Sequence, residues 1–95
     1  MIKHIVMWTL KDRSRAEQLK QKIDDLNGKV PSMIDVESGI NFNPADAACD
    51  LVLISTHKTR EDLDAYQADP VHGEVKKAIG PEAVSRHVVD FETDD

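Results

Sequence analysis

The sequence predicts an α+β domain, a four-stranded antiparallel sheet with its helices gathered on one face. Three observations lead there. Residues 2–10 and 51–54 are apolar enough to be central strands covered on both sides. Residues 33–42 and 83–92 alternate apolar and polar side chains, the pattern of edge strands with one wetter face. Between them lie segments whose apolar residues recur at helical spacing. The order strand, helix, strand, strand, helix pair, strand (βαββαβ) is a split β-α-β arrangement, and right-handed crossovers place the second and fourth strands at the edges.

Each element has its own justification. In the first strand Ile2, His4, Val6, Trp8 and Leu10 share one face, and Ile5 and Met7 share the other. Ser14-Arg15-Ala16-Glu17 reads as a capping box opening a helix in which Ala16, Leu19, Ile23, Leu26 and Val30 form the buried stripe, ending near Gly28. Pro31-Ser32 turns the chain into the second strand, where Ile34, Val36 and Ile40 alternate with Asp35, Glu37 and Asn41. Asn43-Pro44 marks a loop before the third strand, Leu51-Val52-Leu53-Ile54. Thr59-Arg60-Glu61-Asp62 resembles a second capping box, opening the helix that carries Leu63 and Tyr66.

A bend at Asp69-Pro70 follows. Asp69 caps the next helix, and Pro70 occupies its first position, where a missing N–H costs nothing. Val71, Val75 and Ile79 form that helix's buried stripe, with His72 at its rim, and Gly80-Pro81 ends it. The last strand sets His87, Val89 and Phe91 on one side and Val84, Arg86, Val88 and Asp90 on the other, and residues 92–95 read as a frayed acidic tail.

Composition narrows the function. The 95 residues make one small domain, residues 1–95. Eighteen acidic against twelve basic residues, net charge -6, argue against a nucleic-acid backbone or an anionic membrane as partner. The single cysteine, Cys49, cannot form an internal disulfide, and the N-terminus lacks the unbroken apolar core of a signal peptide, so a cytoplasmic protein is expected. A single sheet with helices on one face leaves Ile5, Met7 and part of the 51–54 run uncovered. A second copy packed sheet to sheet would bury them, which predicts a homodimer.

Chemistry concentrates between Tyr66 and Ile79. This stretch holds the only tyrosine and, six positions on across the bend, His72. His57 at a strand end and His87 on an edge strand give no comparable pattern. No ligand spacing of the Cys-x-x-Cys or His-Glu-x-x-His kind occurs, and no metal is expected.

Taken in order, Met1-Ile2-Lys3-His4-Ile5-Val6-Met7-Trp8, Asp69-Pro70-Val71-His72 and Ala83-Val84-Ser85-Arg86-His87-Val88-Val89-Asp90-Phe91 resemble the stress-responsive dimeric A/B barrel (Dabb) family over nearly the whole chain. The resemblance implies a ferredoxin-like protomer whose sheet joins a partner's in a dimeric α+β barrel. Most members have no assigned reaction, and a few look like cofactor-independent polyketide cyclases. By position, His72 matches the catalytic histidine of those cyclases, Tyr66 their tyrosine and His4 a further pocket histidine. Asp50 opens the third strand, where a histidine of the cyclase-like members is expected, and would bring an acid to the pocket. A neutral imidazole can take a proton beside a carbonyl while a phenol stabilises the enolate oxygen, with no cofactor.

Two functions are therefore expected. One is a small dimer of unassigned activity, binding an apolar or carbonyl-containing molecule between helices and sheet against His4, Val6, Trp8, Val75 and Ile79. The alternative is an acid–base cyclase or lyase with His72 as base and Tyr66 as oxyanion partner.

Overall fold

The structure, a computed structural model, describes residues 1–94. Four strands, β1 (Ile2–Leu10), β2 (Asp35–Ile40), β3 (Leu51–His57) and β4 (Ala83–Glu92), form one sheet in the order β2-β3-β1-β4, every neighbouring pair antiparallel. The helices are α1 (Ala16–Asp24), α2 (Arg60–Ala68) and α3 (Pro70–Ile79), with short 3-10 turns before α1 and after α3. This is the ferredoxin-like split β-α-β topology, with the two most apolar strands at its centre and the two polar ones at its edges.

The period of two decides which side chains meet the helices. Ile2, His4, Val6, Trp8 and Leu10 alternate as buried residues along β1, and Leu51, Leu53, Ser55 and His57 do so along β3. They pack with Leu19, Ile23 and Leu26, and with Leu63, Tyr66, Val75 and Ile79 from the two later helices. The helices lie on β1, β2 and β3, so the inner face of β4, with Val84, Arg86, Val88 and Asp90, stays open to solvent. On the outer face Ile5 stands directly between Ile54 and Val89, and Phe91 lies beside Lys3. Val89 and Phe91 are 53% and 44% exposed, an apolar band with no cover within the protomer.

Several local expectations need correction. The Ser14-Glu17 capping box does not form. Asp12 instead accepts from the Ser14 amide at 3.0 Å and the Ser14 hydroxyl at 2.7 Å, closing a 3-10 turn ahead of α1. α1 ends at Asp24, because residues 25–29 tighten into turns and Gly28 takes φ 79°, a left-handed conformation that costs glycine little. β2 spans only six residues, with Ile34 half exposed before it. β3 runs three residues past Ile54, through His57, its polar end held by pairing to β1. The tail is tied down through Thr93, whose amide donates to the Met1 carbonyl at 2.8 Å, and Asp95 lies outside the described residues.

The two later caps form as the residue types require. Thr59 accepts from the Asp62 amide at 3.1 Å and Asp69 from the Val71 amide at 2.8 Å, with Pro70 at the first turn of α3. At the α2–α3 bend Asp69 holds both helices, its amide donating to the Tyr66 carbonyl at 3.1 Å and its carboxylate accepting from the Val71 amide. That rigidity sets Tyr66 against His72.

Candidate functional site

Burial of an imidazole or a phenol has to be offset by partners, so the site is best read from who satisfies whom. His72, 5% exposed rather than at the rim, sends Nδ1 to the carbonyl oxygen of Tyr66 at 3.1 Å. A carbonyl can only accept, so Nδ1 carries the proton and Nε2 keeps the lone pair. Nε2 makes no hydrogen bond within the described residues. The Tyr66 ring lies flat on the His72 ring, centroids 3.9 Å apart and planes 21° from parallel. Burial is the main reason the His72 pKa falls to about 4, with the Lys76 ammonium adding to it.

Tyr66 is fully buried and is the hub of three histidines. Besides stacking on His72, its ring centroid is 4.8 Å from that of His57 and 5.9 Å from that of His4. Its hydroxyl makes no hydrogen bond of ordinary geometry, the only such buried side-chain atom among the described residues, and the Ser55 hydroxyl acts on it only weakly. Burial pushes the phenol up to about 12, opposed weakly by the Ser55 hydroxyl and the Arg86 charge. The group is therefore a protonated donor at neutral pH.

His57, reached only because β3 runs on, is held by the same logic. Its Nδ1 donates to the Ser32 carbonyl at 2.7 Å, so Nε2 accepts from the Ser55 hydroxyl at 2.8 Å. Burial lowers its pKa. His4, on β1, faces Asp90 directly across the ladder, and its Nδ1–H donates to the Asp90 carboxylate in a short contact. The Gln67 side-chain amide lies 3.5 Å from His4 Nε2, a long approach from α2.

A cleft of about 360 Å³ opens between α3 and the β1–β4 half of the sheet. Its apolar wall is Val6, Trp8, Leu53, Val75 and Ile79, and its polar wall is His4, His72, Lys76 and Arg86. The fold thus brings His72, His4, Val6, Trp8, Val75 and Ile79 onto one surface, with Tyr66 immediately behind His72 rather than on the wall. Asp50 lies elsewhere. It is buried at the end of β1, accepts from the Leu10 amide at 2.8 Å and pairs with Arg13 at 3.0 Å, so it adds no acid to this cleft. The sequence pattern sets His57 aside and does not single out Asp90. The signal was in Ser55-Thr56-His57 as a strand continuation, and in Asp90 sharing the inner face with His4. Among the described residues no group of three His, Cys, Asp or Glu side chains is placed to hold a metal ion. No helix among them is long and apolar enough to cross a membrane.

The family model for the stress responsive A/B barrel domain matches residues 2–93. The chain belongs to that family. No curated protein is similar to it at a significant level. Among solved structures, this A/B barrel domain is similar to a dimeric ferredoxin-like protein of unknown function from Thermobifida fusca, at 22% identity and TM-score 0.85, over 97% of this chain and 90% of that one. A protein from Bacteroides fragilis, also described as dimeric, ferredoxin-like and of unknown function, has 25% identity and TM-score 0.82 over 97% and 95%. The hydroxynitrile lyase of Passiflora edulis has 18% identity and TM-score 0.82 over 99% and 94%. At such identities the first and third share the fold with this A/B barrel domain, and chemistry does not pass with fold.

Proposed function

We propose that this chain forms a homodimer through the uncovered sheet face and that each protomer's cleft removes a proton beside the carbonyl of a small, largely apolar ligand. In this reading His72 Nε2 takes the proton and the C–H electron pair moves to the carbonyl oxygen; Tyr66, expected as oxyanion partner, is buried behind His72 and serves instead to hold the imidazole in place. The proton then sits on His72 Nε2, which returns it to the product, while His4, oriented by Asp90, is the second histidine on the same wall. The resulting enolate can attack a second carbonyl, closing a ring, or the reverse reaction can split a carbon–carbon bond. The single observation that carries the reading is the state of His72. One ring nitrogen is spent on the Tyr66 carbonyl and the ring is clamped by stacking, which leaves the lone-pair nitrogen unpartnered on the cleft side.

A second reading is a carrier that binds the same kind of molecule without transforming it. It is favoured by the low His72 pKa, about 4, since a general base is most effective when its pKa is near the working pH. The lone Cys49 supports a cytoplasmic setting for either reading.

One probe separates them. 4-Oxononanoate carries a ketone on an apolar chain, and in deuterium oxide its protons beside the ketone exchange visibly by NMR. Proton abstraction predicts protein-catalysed exchange that drops by roughly 10²-fold or more in His72→Asn. Binding detected by quenching of the only tryptophan, Trp8, with no exchange above buffer, leaves the carrier.

A further inference from the structure

The cleft is positively charged in a negatively charged protein. Its wall holds Arg86 and Lys76 and no carboxylate, although acids outnumber bases eighteen to twelve along the chain. The nearest acid on the same strand face, Asp90, is already taken by the His4 Nδ1–H. Two other clefts show the contrast, with Arg60 sharing its wall with Asp64 and Glu92, and Lys3 with Asp35 and Glu37.

Arg86 is distinguished further. It lies directly across from Trp8 on the inner face, next to the apolar wall, and its side chain makes no ion pair or hydrogen bond among the described residues. Lys76 approaches from α3 on the other side, its ammonium donating to the Gln67 carbonyl at 2.8 Å with two N–H groups left over. A guanidinium fork beside an apolar floor is matched by a planar carboxylate carried on an apolar body.

We propose that the ligand of this cleft is an anion, a carbonyl compound that also bears a carboxylate, with Arg86 as the specificity-determining residue and Lys76 assisting. The inference rests on the cleft being the functional site and adds the class of molecule it selects. Both cations sit at the solvent edge, whereas His72 lies deeper against Tyr66. The carboxylate is therefore held at the mouth and the ketone further in.

The test compares 4-oxononanoate with its methyl ester by Trp8 quenching. The wild-type protein is expected to bind the acid about tenfold more tightly, as one charge-assisted pair allows. A net charge of -6 would by itself favour the ester, so the preference has to be local. Arg86→Gln is expected to reduce the preference below threefold while ester affinity stays within about twofold. Lys76→Gln should have a smaller effect in the same direction, and Arg60→Gln, at the other cleft, none. Equal binding of acid and ester, no quenching by either, or equal weakening of both by Arg86→Gln overturns the inference. The outcome is separable from that of the proposed reaction. Exchange without acid preference removes this inference alone, and acid preference that persists in His72→Asn without any exchange removes the reaction alone.

Discussion

Tyr66 holds His72 by two independent contacts, a ring stack with centroids 3.9 Å apart and a hydrogen bond that His72 Nδ1 donates to the Tyr66 carbonyl oxygen at 3.1 Å. The backbone contact fixes the tautomer, and the stack fixes the ring plane. Both depend on the Asp69-Pro70 bend, which returns α3 beside the end of α2.

The buried Tyr66 hydroxyl makes no well-formed hydrogen bond, and with the Ser55 hydroxyl acting on it only weakly its desolvation is poorly offset. Tyr66→Phe is expected to hold or slightly raise stability in a denaturant titration, by at most about 1 kcal/mol, and to leave ketone exchange nearly unchanged, since the ring and the backbone carbonyl are what hold His72. Tyr66→Ala removes the stack as well and should cost about 3–5 kcal/mol. A stable Tyr66→Phe protein whose exchange falls about 10²-fold would assign the hydroxyl, rather than the ring, to the site.

The pH dependence follows from His72. Its folded pKa, about 4, lies below the unfolded value of 6.5, so the unfolded chain takes the proton first. The stability is fully present above about pH 6.5 and is lost as pH falls toward 4, on the order of 3 kcal/mol by the end of that window. His57, also lowered by burial, acts in the same direction. Unfolding at pH 7 and pH 5 should show the loss, and His72→Asn should flatten it. An unchanged slope in the variant would mean that other groups set the acid limit.

Asp50 is a structural anchor. It satisfies the Leu10 amide inside the protein and pairs with Arg13. Asp50→Ala leaves that buried N–H unsatisfied and should cost about 2 kcal/mol, with Trp8 quenching by 4-oxononanoate unaltered in the folded fraction. Loss of binding at unchanged stability would bring Asp50 back to the cleft.

How much of this was legible in the sequence can be argued from single residues. The fold was, because periodicity reports burial: the even residues of β1 and the odd residues of β3 are the ones that face the helices. The Asp69 and Thr59 caps were legible because capping is local chemistry. Ser14 misled for the same reason, since Asp12, two residues upstream, competes for the same amide and wins. The site was half legible. His72 and Tyr66 are neighbours through a local bend, whereas His4 meets Asp90 across 86 positions and His57 joins through a strand end whose polar residues hide its continuation. Such pairings depend on register, which no local pattern carries.

The outer sheet face gives a prediction about assembly. Ile54, Ile5 and Val89 form a row across three strands with no cover in the protomer. Sedimentation should find the wild-type protein dimeric and a Val89→Asp, Ile54→Asp variant monomeric with its circular dichroism retained. A monomeric wild type would remove the dimer from the account.

The central claim is that His72 presents an unprotonated Nε2 to the cleft at neutral pH. Long-range proton–nitrogen NMR of the four histidines between pH 8 and pH 5 tests it most directly. The His72 ring is expected to stay neutral throughout, protonated at Nδ1, with the Nε2 resonance shifting when 4-oxononanoate is added. A His72 that is charged at pH 6, or neutral with its proton on Nε2, would contradict it, because no lone pair would then face the ligand.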